Sequence, residues 1–486
     1  MPYRRRRNPS EERPEDVPSS RRPARGMECS YHHLTVFTLT FFSYAFMHAA
    51  RKTLSTVKPS MIDVWTHNNT GQQPIFPTNK EAEDFLAFLD FGFLIAYAFG
   101  LYIGGVLGDR YNPRKVLAIG MWLSAIVIFN FGYVTEYFRL YSRPLYAVLW
   151  ISAGLFQSVG WPTEVCIVGN WFGRGSRGIV LGAWSGCASV GNIIGTIISS
   201  RVLFYGYQIA FAINSTVLFV FGFVVYFCLH STPREVGLPE PVEWEGDHDE
   251  VIEVVDHPRP VTFLRAWKLP GVIPYSSAYA CLKLVNYGFF FWLPYYLHSH
   301  HGWSEGDSDN LSTFYDCGGI VAAIAGGALS DRMSSRTPVV FIMLLISSVC
   351  LGVYSVFPGD YYLNAFMLSV VGFFVGGPAN MISSSISADL GKARELHGSA
   401  EALSTVTGIV DGTGSVGAAL GQLLIPLAQQ ALGWNAVFYG FIVMVLCTAA
   451  CIFPILYHEI RESRNLVVID DEEEGERRHL LANSEE

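Results

Sequence analysis

Charge is scarce in this sequence. Only 15% of its 486 residues are charged while half are hydrophobic, whereas soluble domains carry about 25% charged residues. That balance argues against a soluble globular fold. The charges crowd into the termini and a few short loops. The formal net charge of −9 comes largely from two acidic stretches, 240–256 and 470–486, so it carries no signal for nucleic acid. The nine cysteines show neither metal-ligand spacing nor a paired framework; most read as small buried hydrophobes, and no metal site is expected. No glycine-rich phosphate loop ending in Lys-Ser or Lys-Thr is present, which argues against nucleotide-driven pumping, and no cofactor is expected. No cleavable leader is visible either. Residues 1–30 are rich in Arg, Pro and Glu and read as a disordered tail before an apolar signal anchor.

What is present is stated twice. Gly108-Asp109-Arg110 returns as Ser330-Asp331-Arg332, with the aspartates at 109 and 331, an offset of 222. A ladder of small residues, Gly182, Gly186, Ser189, Gly191 and Gly195, returns as Gly408, Gly412, Ser415, Gly417 and Gly421 at an offset of 226, from 182 to 408. Two unrelated patterns at nearly one offset imply a duplicated half, and a long period between hydrophobic halves points to a pseudo-symmetric transporter. Apolar windows able to cross about 30 Å of hydrocarbon fall near 34–58, 85–107, 116–135, 145–168, 178–200 and 207–229, then near 271–297, 311–330, 338–357, 362–388, 401–428 and 434–457. The expected fold is an all-α membrane protein of twelve transmembrane helices in two pseudo-symmetric six-helix bundles. Residues 31–230 and 263–458 form the bundles, 231–262 an acidic linker and 459–486 an acidic tail.

Loop lysines and arginines set the orientation. Arg4 to Arg7, Arg110, Arg114, Lys115, Arg174, Arg177, Arg332, Arg336, Lys392 and Arg394 share one side if both termini are cytosolic, with Arg139 and Arg143 as exceptions. The other side receives two glycosylation sequons, at Asn68 and Asn310; a third, at Asn214, lies inside a span. The Asp-Arg loops are candidate gates: Asp109, Arg110, Arg114, Asp331, Arg332 and Arg336 lie between helices two and three of each half. The glycine ladders read as surfaces for close helix packing. Trp161-Pro162 and Gly377-Pro378 read as kinks, with Trp161 also a candidate cavity residue.

The sharper signal is charge inside the apolar spans. Tyr44, His48, Arg51, Ser55 and Lys58 share one helical face, and Lys52 adjoins it. Such cations are costly in a membrane unless they meet an anion or a carboxylate. The alternative for Arg51 and Lys52 is snorkelling to a helix end. Lys283 is the matching cation of the second half, with Tyr279, Asn286 and Tyr287 on its face. One cation per half across a cavity suits a phosphate or phosphonate, with Arg51 and Lys283 as the clamp. Asp411 is the counter-charge: it pairs with Lys283, titrates as a proton site, or bonds nearby Ser and Thr. Asp316, Glu164 and Asp389 read as structural, near helix ends.

Several segments together carry a family resemblance: Ala49-Ala50-Arg51-Lys52, Gly160-Trp161-Pro162, 169–178, Ser387-Ala388-Asp389-Leu390-Gly391, 281–294 and 376–384. Gly105 to Lys115 also resembles the Asp-Arg loop signature of the major facilitator superfamily. The chain is similar to the organophosphate:phosphate antiporters of that superfamily, and more narrowly to the sugar-phosphate exchangers of solute carrier family thirty-seven. The resemblance spans His32 to Glu459. It implies the major facilitator fold and exchange of an organic phosphate or phosphonate anion against inorganic phosphate. It carries the family's first-helix Arg to Arg51 and that residue's neighbour to Lys52. Two positions depart from bacterial relatives: Asn286 stands where a seventh-helix Arg is found, and Asn170 where a fifth-helix His is found. The resemblance further implies a lysosomal or endoplasmic-reticulum membrane and a glycosylated membrane partner. Glu476, Leu480 and Leu481 fit an acidic dileucine sorting signal. The expected function is a secondary exchanger working by alternating access, not an enzyme. The alternatives are a proton-coupled exporter titrating Asp411 or His48, and a non-transporting scaffold.

Overall fold

The computed structural model describes residues 30–66, 74–172, 174–239, 262–333, 335–356, 360–391 and 402–483, without the side chains of 174–179, 331 and 462–483. Among these residues there is no strand. The first half contains α1 (Tyr31–Thr66), α2 (Asn79–Arg110), α3 (Pro113–Tyr137), α4 (Arg143–Gln157 and Gly160–Trp171), α5 (Arg174–Ser185 and Cys187–Val202) and α6 (Tyr207–Cys228). The second contains α7 (Val272–His301), α8 (Glu305–Asp331), α9 (Thr337–Ser355), α10 (Tyr361–Gly391), α11 (Leu403–Leu432) and α12 (Trp434–Asn483). Nine of these helices are long and apolar enough to cross a bilayer on length and composition alone. The other three are α1, which carries Arg51, Lys52 and Lys58, α4, which is interrupted after Gln157, and α7, where Lys283, Asn286 and several tyrosines dilute the apolar run. Helix starts are fixed locally. Thr78, Asn112, Ser304 and Asp360 each accept from an N–H three residues on, at α2, α3, α8 and α10.

The ladders show why glycine is needed. A Cβ at Gly191 would collide with the Ala45 carbonyl of α1, and one at Gly417 with the Ala280 carbonyl of α7. The same register therefore packs α5 on α1 in one half and α11 on α7 in the other. The first rung works across the halves. A Cβ at Gly408 would come within 2.6 Å of the Leu101 carbonyl and 3.2 Å of Gly105, while one at Gly182 would meet the Ala323 carbonyl at 2.6 Å and Gly327 at 3.2 Å. Two glycine crossings, α2 on α11 and α5 on α8, thus hold the halves together.

Several elements depart from the sequence expectation. The first helix, expected to stop at Lys58, continues through Pro59 to Thr66, because Met61, Ile62 and Trp65 beyond the proline are buried and outweigh its lost hydrogen bond. The eighth starts at Glu305, not near 311, on the Ser304 cap. In α4 the break falls at Ser158–Val159, just before the Trp161-Pro162 pair; in α10 a wide turn, Ile382–Ile386, follows Pro378. The last helix runs on to Asn483.

Candidate functional site

Between the halves lies a cavity of about 730 Å³, counting the part open to solvent. From α1 it takes Tyr44, His48 and Lys52, one turn apart, and from α7 Tyr279, Lys283, Asn286 and Tyr287. Trp161, Asn192, Asp316 and Asp411 add to its polar wall from α4, α5, α8 and α11, and Asn380 and Ser383 from α10. The α1 and α7 residues expected at the substrate site therefore converge, Arg51 excepted.

Each buried cation has a different partner. Lys283 Nζ donates to Asp411 Oδ1 and to Ser415 Oγ, both at 2.8 Å, and lies 5.1–5.5 Å from the ring centres of Tyr97, Tyr279 and Tyr287. Lys52 Nζ donates to the Phe290 carbonyl at 2.6 Å and to Ser55 Oγ at 3.5 Å; among the described residues no carboxylate bonds it. Lys58 is neutralised away from the cavity by Asp90 at 2.6 Å. Arg51 is fully buried. Its Nε donates to Gln157 at 3.0 Å and its Nη1 to the Tyr287 hydroxyl at 2.9 Å, with the guanidinium 4.4 Å from the Tyr97 ring centre. Around this site Arg51 Nη2, His48 Nε2 and Gln157 Nε2 are buried nitrogens without a hydrogen-bond partner among the described residues. Two lysines, Lys52 and Lys283, and two carboxylates, Asp316 and Asp411, thus face the cavity, with Arg51 behind Tyr287.

Three expectations about this wall change. Arg51 does not line the cavity; α2 and α4 draw its guanidinium aside, and it reaches the wall only through Tyr287. Lys52 lines it as expected, rather than snorkelling to a helix end. Asn170 lies outside it, near the end of α4, where its amide faces Cys166 Sγ at 3.8 Å. Asp316, taken from sequence as a structural residue near a helix end, lines the cavity because α8 begins six residues earlier than expected, and accepts from Asn192 Nδ2 at 2.8 Å. Glu164 is buried against Ser43. Sequence reasoning also missed Asn192, Gln157, Tyr97 and Asp90. A carboxylate inside an apolar span was the available signal for Asp90.

The loops divide. Asp109, at the end of α2, accepts from Ser404 N at 3.1 Å, Thr405 N at 2.8 Å and Thr405 Oγ1 at 2.6 Å, so a first-half carboxylate caps the start of α11. Arg110 and Arg332 are exposed, and Arg114 donates to the Leu229 carbonyl at 3.0 Å. Arg336 pairs with Asp389 at 2.8 Å and bonds Ser330 Oγ at 2.7 Å, both partners in the second half. The side chain of Asp331 is outside the described residues. So are Asn68 and the side chains of Glu476, Leu480 and Leu481. Asn310 is exposed in the second turn of α8, and Asn214 is buried between Thr53 and Ser199.

Two six-helix halves meeting at a polar central cavity define a membrane transporter. The family model described as Major Facilitator Superfamily matches residues 40–404. The sugar phosphate exchanger 3 of Xenopus laevis is 47% identical over 471 residues, covering 89% of this chain and 94% of that protein. A putative glycerol-3-phosphate transporter 5 of Arabidopsis thaliana is 35% identical over 463 residues, covering 90% and 93%. In fold the chain matches a proton:xylose symporter of the same superfamily, bound to 6-bromo-6-deoxy-D-glucose, with a TM-score of 0.66 at 11% identity and coverage of 87% and 96%. The chain belongs to the Major Facilitator Superfamily and, within it, to the family of the sugar phosphate exchangers. It is a multi-pass transporter rather than an enzyme, and the resemblance and the twelve-helix fold class read from sequence both hold.

Proposed function

We propose that this protein exchanges phosphorylated or phosphonate-type organic anions of the sugar-phosphate class against inorganic phosphate, by alternating access. The observation that carries this reading is Lys52 from α1 and Lys283 from α7 facing one cavity from opposite halves. A doubly charged phosphoryl group between them offers acceptors to both ammonium groups, and Arg51 supports it through the Tyr287 hydroxyl. Lys52 reaches the ligand by leaving a neutral carbonyl. Lys283 reaches it only by leaving Asp411, and that exchange of partners links binding to movement of α7 against α11. The Asp109 cap on α11 then acts as the gate between the halves, with Arg336–Asp389 bracing the second. Residues 31–230 and 263–458 are the two moving bodies.

Orientation with cytosolic termini, residence in a lysosomal or endoplasmic-reticulum membrane, glycans on Asn68 and Asn310 and a glycosylated partner subunit belong to the same proposal. A second reading, proton-coupled export, draws on the same ion pair: an Asp411 left alone when the substrate takes Lys283 is a ready proton acceptor.

The test is uptake of labelled phosphate into liposomes carrying the purified chain, with phosphate or glucose 6-phosphate inside. Internal anion should accelerate uptake, and Lys52→Ala should lower the rate at least about tenfold, the scale of one lost charge-assisted hydrogen bond. Uptake that follows a pH gradient and ignores internal phosphate would replace exchange by the proton-coupled reading. Wild-type rates in Lys52→Ala would remove the carrying observation.

A further inference from the structure

We infer that His48 Nε2 is the cavity's hydrogen-bond acceptor for a hydroxyl of the carried organic phosphate, and that Asn192 and Asp316 hold it in that role. This rests on the anion-exchange reading above and adds the part of the substrate that is not phosphate.

The inference follows a chain of three side chains across both halves. Asp316 Oδ1, on α8, accepts from Asn192 Nδ2, on α5, at 2.8 Å; Asn192 Oδ1 in turn lies 2.9 Å from His48 Nδ1, on α1. An ionised carboxylate only accepts hydrogen bonds, so the Asn192 amide must turn its NH2 group toward Asp316. Its carbonyl oxygen then faces His48, and a carbonyl oxygen also only accepts. The hydrogen between them therefore sits on His48 Nδ1. A neutral imidazole carries one such hydrogen, which leaves Nε2 with a bare lone pair. That nitrogen is buried and has no partner among the described residues, and His48 lines the cavity.

The cavity's carboxylates, Asp316 and Asp411, already accept from Asn192 and Lys283, which leaves His48 Nε2 as a neutral acceptor beside donors. Lys52, one turn further along α1, and Lys283 are donors suited to phosphoryl oxygens. A lone pair repels such oxygens and attracts an O–H. The His48 ring is also held in place: its centre lies 4.7 Å from that of Tyr44 and 6.0 Å, edge-on, from that of Phe290. The cavity thus has a donor pole for the anion and an oriented acceptor for a polyol. Because Asp316 belongs to the second half, the acceptor is set only while α8 lies against α5. His48 touches the ligand; Asn192 and Asp316 are positioning residues.

The experiment uses the full chain in phosphate-loaded liposomes. Labelled phosphate uptake is competed with glucose 6-phosphate and, separately, with n-hexyl phosphate, which presents a phosphate on six carbons without hydroxyls. The readout is the ratio of the two half-inhibitory concentrations. The wild type should favour glucose 6-phosphate, and His48→Phe should shrink that preference at least about tenfold, as expected when a built hydrogen bond is removed. His48→Gln, whose side-chain carbonyl can accept, should recover part of it. Asp316→Leu should lose preference although His48 remains, because nothing then fixes the amide. General damage to the fold slows uptake without moving a ratio of competitors, and His48→Gln and Asp316→Leu keep the test alive if His48→Phe does not fold. A wild-type ratio near one, or an unmoved ratio in His48→Phe, overturns the inference alone. Absence of phosphate exchange in the wild type overturns it together with the transport reading.

Discussion

The two halves share a helix order and a glycine ladder, yet they hold charge differently. In the first, α1 buries three cations, and among the described residues only Lys58 has a carboxylate, Asp90, bonded to it. Arg51 rests on Gln157, Tyr287 and aromatic rings, and Lys52 on a carbonyl oxygen. In the second, Lys283 on α7 is locked to Asp411 of the same half. Duplication has kept what packing demands, the rungs where any Cβ would strike a neighbouring backbone. It has not kept the charge balance. The first half presents positive charge to an incoming anion at once, and the second must first separate an ion pair. The asymmetry gives the order of events in binding: contact through Lys52, then transfer of Lys283.

The largest expected effect comes from breaking the second half's pair. Lys283→Ala strands Asp411 in a buried site and should cost about 3–5 kcal/mol of stability, read as a drop in thermal midpoint in detergent. The double variant Lys283→Ala/Asp411→Ala should recover most of that stability and none of the exchange. If the double variant transports, Lys283 serves only to neutralise Asp411, and the contrast between halves loses its meaning.

Next comes Arg51→Lys, which keeps the charge and removes the planar fork. An ammonium cannot hold Gln157 and Tyr287 together while lying against Tyr97. Phosphate exchange should fall about tenfold, the equivalent of roughly 1.4 kcal/mol. Exchange at the wild-type rate would mean that the first half supplies only charge.

A third variant probes the gate. Asp109→Asn keeps the size of the side chain and weakens a charge-assisted cap on α11 by about 1 kcal/mol. Since that cap joins α2 to α11, its loss should favour the state open at that end. A cysteine introduced near the cap should then react faster with a membrane-impermeant thiol reagent; an unchanged labelling rate would reduce Asp109 to a helix cap.

Much of this arrangement was legible beforehand, for physical reasons. Glycines at fixed spacing report backbone contact directly, so Gly191 and Gly417 announced their packing. Charges in apolar runs are costly enough to mark a site, so Lys52, Lys283 and Asp411 stood out. What could not be read was direction. Arg51 and Lys52 are neighbours with long side chains, and which of them meets the cavity depends on Gln157 and Tyr97, hundreds of atoms away along the chain. Asp316 was misplaced by an error of six residues in one helix start, enough to carry a cavity carboxylate to an apparent helix end. Asn192, which links Asp316 to His48, is uncharged inside an apolar span and gave little signal.

The smallest effect closes the comparison at the loops. Arg336–Asp389 occupies the loop region corresponding to the Asp109 contact, but both partners belong to one half and both are partly exposed, at 13% and 29%. Water already solvates much of the pair, so its rupture should cost no more than about 1 kcal/mol. Asp389→Asn should therefore leave the thermal midpoint nearly in place and, because its pair with Arg336 lies within one half, leave thiol labelling near the gate at the wild-type rate. A labelling change as large as that of Asp109→Asn would show that the two loops act as one gate despite their different partners. The asymmetry between the halves would then be confined to the cavity.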